Sequence, residues 1–166
     1  MKVIFSHGKE SGPWGFKIKR LSRLAQKLGC QVESIDYTDI MDPDQRVERL
    51  LTFLENEQDS FVLAGSSMGG YVSLVVSESV DAKAVFLMAP ALYIPGYQKQ
   101  QHHSKSPHVE IVHGWSDDVI PVENSIQFAK ETDCTLHVIS GDHPLNGSID
   151  VVAVLFEAFL NKVLVG

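Results

Sequence analysis

A chain of 166 residues, 44% hydrophobic and 21% charged, has the length and balance of one globular domain, which excludes a fibre or a disordered segment. A net charge of −7 would be repelled by a phosphate backbone and argues against a nucleic-acid partner. The apolar run Val3-Ile4-Phe5 is too short for a signal peptide or a span, and Glu157 interrupts the run from Val151 to Leu160, so no membrane association and a cytoplasmic location are expected.

Short apolar runs alternate with stretches of helical period. Val3-Ile4-Phe5 predicts a first strand. From Phe16 to Leu28 the apolar positions Ile18, Leu21, Leu24, Ala25 and Leu28 predict a helix, which Gly29 ends. The basic residues of that helix, Lys17, Lys19, Arg20, Arg23 and Lys27, read as a solvated face. Val32 to Ile35 predicts a second strand. Asp42 or Asp44 then caps a helix that has Pro43 near its first turn and runs to about Asn56.

Phe61-Val62-Leu63-Ala64 is uninterrupted, as in a central parallel strand covered on both faces. A helix from Met68 to about Ser79 and a strand from Ala84 to Met88 follow. Pro90 to Pro107 breaks the rhythm with prolines, a glycine and a polar run, and reads as a long loop with one short helical turn. Glu110 to His113 predicts a fifth strand, Val122 to Lys130 a helix, and Thr135 to Ile139 a sixth strand. Ser148 or Asp150 caps a last helix that reaches about Val163. This repetition predicts a single α/β domain over residues 1–166, a three-layer α/β/α sandwich around a mostly parallel six-stranded sheet. Cys30 and Cys134 are expected to be reduced and partly buried.

Ligands on such sheets sit beyond the carboxyl ends of the strands, so the segments there carry the chemistry. After the third strand comes Gly65-Ser66-Ser67-Met68-Gly69-Gly70, which places Ser67 at the centre of a G-x-S-x-G frame that Ser66 does not fit. A serine hydroxyl is a poor nucleophile and must be lifted towards a base. A sharp strand-to-helix turn does this, and its flanking glycines remove side chains that would clash. Ser6-His7-Gly8-Lys9 follows the first strand, His113-Gly114-Trp115-Ser116-Asp117-Asp118-Val119-Ile120-Pro121 the fifth, and Gly141-Asp142-His143-Pro144 the sixth.

Together these segments resemble the α/β-hydrolase superfamily. The resemblance extends from His7 to the last helix and implies a minimal α/β-hydrolase fold without a cap domain. It implies Ser67 as nucleophile, Asp117 as acid with adjacent Asp118 as the alternative, and His143 as base, in the chain order of that superfamily. It also implies an oxyanion hole formed by the backbone N–H groups of Met68 and Lys9, with His7 structural. His113 and His137 read as structural strand residues. The function expected is a serine hydrolase acting on an ester or thioester bond of a small acyl substrate through an acyl-enzyme. An acyltransferase or thioesterase acting on a carrier-bound acyl group, or a non-catalytic binding protein, are the alternatives. Trp115, Leu92 and Tyr93, with Met68, are candidate pocket walls. No metal or organic cofactor is expected, since His102, His103 and His108 have no cysteine or close carboxylate beside them. The expected partner is a small-molecule ester or thioester, and the expected state a monomer or homodimer.

Overall fold

Side chains along a strand point alternately to its two faces, and in this chain both faces are apolar. The computed structural model describes residues 1–166 and holds β1 (Lys2–Ser6), β2 (Gln31–Ile35), β3 (Phe61–Ser66), β4 (Ala84–Met88), β5 (Val109–Gly114) and β6 (Thr135–Ile139). They form one sheet in the order β2-β1-β3-β4-β5-β6, with every neighbouring pair parallel. The helices are α1 (Phe16–Lys27), α2 (Pro43–Leu54), α3 (Met68–Ser77), α4 (Val122–Thr132) and α5 (Ile149–Val165).

Val3, Phe5, Val62, Ala64 and Phe86 pack with α1 and α5 on one face. The alternate residues Ile4, Leu63, Val85 and Leu87 pack with α2, α3 and α4 on the other. Rings of Phe86, Phe156 and Phe159 meet at centroid distances of 5.0 to 5.1 Å from Phe86, fastening α5 to β4. All ten residues of α3 are buried, which accounts for its lack of a polar face. The chain passes from β1 out to β2 and returns to lay β3 on the other side of β1. The segments leaving β1 and β3 therefore diverge to opposite faces, and a crevice opens at the carboxyl ends.

Element boundaries follow the chemistry of the caps. Gly29 takes the left-handed conformation after α1 (φ 83°). Of the two candidate caps for α2, Asp42 serves: its carboxylate accepts from the N–H groups of Asp44 at 2.8 Å and Gln45 at 2.9 Å, with Pro43 as first residue. At α5 Ser148 occupies the N-cap position, but its side chain accepts no N–H of the helix. The Ser148 hydroxyl donates to the Ser140 carbonyl instead, and a 3-10 turn over Asn146–Ser148 leads into the helix.

The strand after α2 runs two residues past its apolar core, because Gly65 and Ser66 still pair with Leu87 and Met88. The long loop holds no helical turn and is strapped over α3 by side chains. The Tyr71 hydroxyl donates to Asp44 at 2.6 Å and accepts from the Lys99 N–H at 3.2 Å, and Lys99 pairs with Glu78. Cys30 is buried and Cys134 half-buried, both free. No helix is long and apolar enough to cross a membrane.

Candidate active site

At the end of β3 the backbone turns sharply into α3, and Ser67 occupies the turn with φ 56° and ψ −121°. A non-glycine residue held there stores strain, of order 1–3 kcal/mol, which surrounding bonds must offset. Ser67 N–H donates to the Met88 carbonyl at 3.0 Å, and its carbonyl accepts from the N–H groups of Gly70, Tyr71 and Ala91. The two flanking glycines are required by close approach. A Cβ on Gly65 would strike the Gly69 backbone, and one on Gly69 would strike the carbonyls of Ser6 and His7.

The loops after β5 and β6 bring two further side chains to this turn. His143 donates through Nδ1–H to Asp117 Oδ2 at 2.7 Å, and its Nε2 accepts from the Ser67 hydroxyl at 3.0 Å. The Asp117 carboxylate is wholly buried. Its Oδ1 accepts from the N–H groups of Val119 at 2.9 Å and Ile120 at 2.8 Å. Burial works against its charge, but the bonds from His143, Ile120 and Val119 outweigh burial and hold the carboxyl below its ordinary range. Asp118 is exposed and takes no part. Two main-chain bonds fasten the loops together, Trp115 N–H to Ile139 O and Ser116 N–H to Gly141 O, both at 2.9 Å. Leu145, fully buried and left-handed at φ 58°, pins the His143 loop to the core.

His113 has a larger part than a strand-end filler. Its Nε2 faces two acceptors, Asp117 Oδ2 at 2.9 Å and Ile120 O at 3.1 Å, so that nitrogen carries the proton. Nδ1 then accepts from the Ser125 hydroxyl at 2.7 Å. Burial pushes His113 below the usual histidine value, which keeps the ring neutral in this tautomer. Asp117 Oδ2 thus takes one bond from His143 in front and one from His113 behind.

The segment after β1 is held in a similar way. His7 donates through Nδ1–H to Gly8 O at 2.7 Å and accepts the Tyr37 N–H at 3.0 Å. Arg46, on α2, is completely buried with no carboxylate partner. Its guanidinium donates to the carbonyls of Ile40, His7, Gly8 and Tyr37 at 2.8 to 3.3 Å and lies 5.3 Å from the Tyr37 ring centroid. Because the Gly8 carbonyl is drawn towards His7 and Arg46, the trans peptide aims the Lys9 N–H the opposite way. Neither the Lys9 N–H nor the Met68 N–H donates to any protein acceptor. Nothing in the sequence marked Arg46, since an arginine on an amphipathic helix reads as a surface residue.

A cleft of about 470 Å³ opens over these groups, lined by Gly8, Lys9, Ser67, Met68 and His143. Its apolar walls include Phe16, Ile94, Val119 and Ile120. The three expected wall residues lie elsewhere. Leu92 is buried in the core, Trp115 is 62% exposed on the outer surface, and Tyr93 donates its hydroxyl to Glu131 at 2.6 Å. Lys17 also departs from expectation: it is half-buried in the cleft wall, while Lys19, Arg20, Arg23 and Lys27 are exposed. Burial pulls its ammonium down to about 8, against the opposing pull of Asp117 and Asp142. The other histidines do not gather. His102 packs edge-on against Tyr93 and Tyr71, His103 lies 3.8 Å from Glu78, and His137 bonds Glu110 at 2.6 Å. No group of three or more His, Cys, Asp or Glu side chains is placed to hold a metal ion.

A parallel sheet in this order, with its crevice at a strained serine turn after β3, defines an α/β-hydrolase fold, and the chain is a small member of that superfamily. Within it, the chain belongs to the uncharacterised protein family UPF0227, whose model matches residues 2–99. A similar solved structure from Xanthomonas campestris pv. campestris, assigned to the alpha/beta hydrolase superfamily, is 31% identical over 97% of this chain and 98% of that one, with a TM-score of 0.89. Est1E from Butyrivibrio proteoclasticus is 18% identical over 99% of this chain and 88% of its own, with a TM-score of 0.84, and shares the fold. Another structure of Est1E holds ferulic acid. No curated protein sequence matches the chain significantly.

Proposed function

We propose that the protein is a serine hydrolase that cleaves an ester or thioester bond of a small acyl substrate. The observation that carries this reading is the continuous row from Ser67 Oγ to His143 Nε2, and from His143 Nδ1 to Asp117 Oδ2, at 3.0 and 2.7 Å. In the reaction, Ser67 attacks the acyl carbonyl as His143 takes its proton. Asp117 keeps the imidazole in the required tautomer and stabilises the imidazolium. The imidazolium then protonates the leaving oxygen or sulfur, and a water activated by His143 releases the acid from the acyl-enzyme.

The N–H groups of Met68 and Lys9 are the donors for the developing oxyanion. Both are free of protein acceptors, and Met68 begins α3, whose dipole favours negative charge there. One such donor is worth about 2.7–4 kcal/mol of barrier in measured cases. The apolar walls and the cleft of about 470 Å³ suit a small substrate rather than an extended chain.

Turnover of p-nitrophenyl acetate tests the reading. Ser67→Ala should reduce kcat by about 10³-fold or more with the fold retained. Undiminished turnover in that variant rules it out.

A further inference from the structure

The cleft wall contains a cation that the proposed reaction does not use. Lys17 stands in the first turn of α1, half-buried, with its four basic neighbours on that helix turned to solvent. The charged and titratable groups that share the cleft with it are His7, Lys9 and Glu10 at and after the end of β1, Tyr97 in the loop after β4 and His143 after β6, while Asp117 after β5 and Asp142 after β6 act on its charge. None makes an ion pair with it. Asp117 is already occupied by His143, His113 and two N–H groups, and Asp142 accepts the Leu145 N–H at 3.1 Å. Glu10 is exposed. A partly desolvated ammonium without a counter-ion is unfavourable, and an anion entering the cleft would relieve it.

We propose that Lys17 is a specificity residue for substrates bearing a carboxylate, or a group of like charge, which it binds while the ester lies against Ser67. This deepens the serine-hydrolase reading and rests on it. The substrate class is then an ester with a short apolar body, seated on walls such as Phe16 and Val119, and an anionic end. The same wall makes a neutral ester the poorer substrate, because such an ester buries the ammonium further and gives it no partner.

Two matched pairs of esters test this, one for each position of the charge. Mono-p-nitrophenyl glutarate against p-nitrophenyl pentanoate puts the anion on the acyl side. 4-Acetoxybenzoate against methyl 4-acetoxybenzoate puts it on the alcohol side. Rates are divided by the hydroxide rate of each ester to remove intrinsic reactivity. In at least one pair the anionic ester should be favoured in kcat/KM by about tenfold or more. Lys17→Met should remove that preference by raising KM for the anionic ester, while the neutral ester, relieved of an unpaired ammonium, should bind no worse than before. Lys17→Arg should restore part of it, and Lys19→Met, which removes an exposed cation of the same helix outside the cleft, should leave it intact.

The charged-to-neutral ratio should also fall above about pH 8, where the free ammonium loses its proton; the triad's own titration cancels in the ratio. Neutral esters turned over through Ser67 with no charge preference, or a preference that survives Lys17→Met, would overturn the assignment to Lys17 and leave the triad standing. If wild type turns over neither member of either pair and Ser67 resists a fluorophosphonate, the hydrolase reading itself falls, and this one with it.

Discussion

Replacing Arg46 by Met tests whether the buried guanidinium holds in place the segment after β1, where we propose one of the oxyanion donors. Four carbonyls lose a donor, but not equally. Gly8 O keeps the bond from His7 Nδ1, and Tyr37 O keeps the N–H of Ile40 at 2.9 Å. His7 O and Ile40 O are left with no protein donor, and only the region of Ile40 is within reach of water. An orphaned buried carbonyl costs about 1–3 kcal/mol, so the two together, with Ile40 O partly rehydrated, give a loss of about 2–4 kcal/mol. Removing a buried charge offsets part of this, and methionine fills much of the stem's volume, which keeps the estimate towards its lower end.

The catalytic effect should be separate from the loss of stability. With the Gly8 carbonyl held by His7 alone and the His7 carbonyl released, the Lys9 N–H is aimed less firmly away from α2, and kcat on a p-nitrophenyl ester should fall by about 10–100-fold with KM little changed. Urea unfolding gives the first quantity, and initial rates well below the unfolding midpoint give the second. A variant destabilised as expected but with unchanged kcat would refute the link from Arg46 to the oxyanion segment. A variant with unchanged stability would refute the accounting of carbonyls.

Other outcomes follow from the same contacts. Asp117→Asn should lower kcat by about 10⁴-fold, because the amide can donate towards His143 and favour the wrong tautomer; steady-state rates at neutral pH check it. His7, His102 and His113 are each held below 6.5 chiefly by burial, so the unfolded chain takes up their protons first. Stability should be full above about pH 6.5 and fall as the pH drops from there; a urea midpoint equal at pH 7.5 and 5.5 would contradict this. Phe156→Ala, which opens the ring cluster between α5 and β4, should cost about 3–5 kcal/mol of stability while leaving kcat per folded molecule unchanged, read from thermal unfolding and activity together.

How far the chain could be read depended on whether backbone chemistry or side-chain direction decided the feature. The Ser67 turn was legible because it needs glycines two residues away on each side, a requirement now visible as Gly65 and Gly69 lying against neighbouring backbone. Asp117 and His143 were legible from their places just past apolar strands, and these are the residues that meet at Ser67. The cleft walls were not, because they depend on how a loop turns. Tyr93 sits at φ 56°, which carries its ring over to Glu131, and the main-chain bond from Trp115 to Ile139 leaves the Trp115 indole outside. Lys17 and Arg46 were hidden for a shared reason. Helical periodicity marks which residues face away from the sheet, but not that α1 opens onto a cleft or that α2 backs onto a loop needing donors. The two-fold grip on Asp117 had a trace in the spacing of His113 and Asp117, four residues apart across the end of β5, without any sign that the ring points inward.

Intact-mass and peptide analysis after incubation with a fluorophosphonate bears on Ser67 itself, since the reagent needs a serine activated by a base and a formed oxyanion site. The geometry predicts a single adduct at Ser67, formed within minutes in the wild type and strongly slowed in His143→Ala. A folded protein that remains unmodified, or that is labelled elsewhere with Ser67 intact, would contradict it.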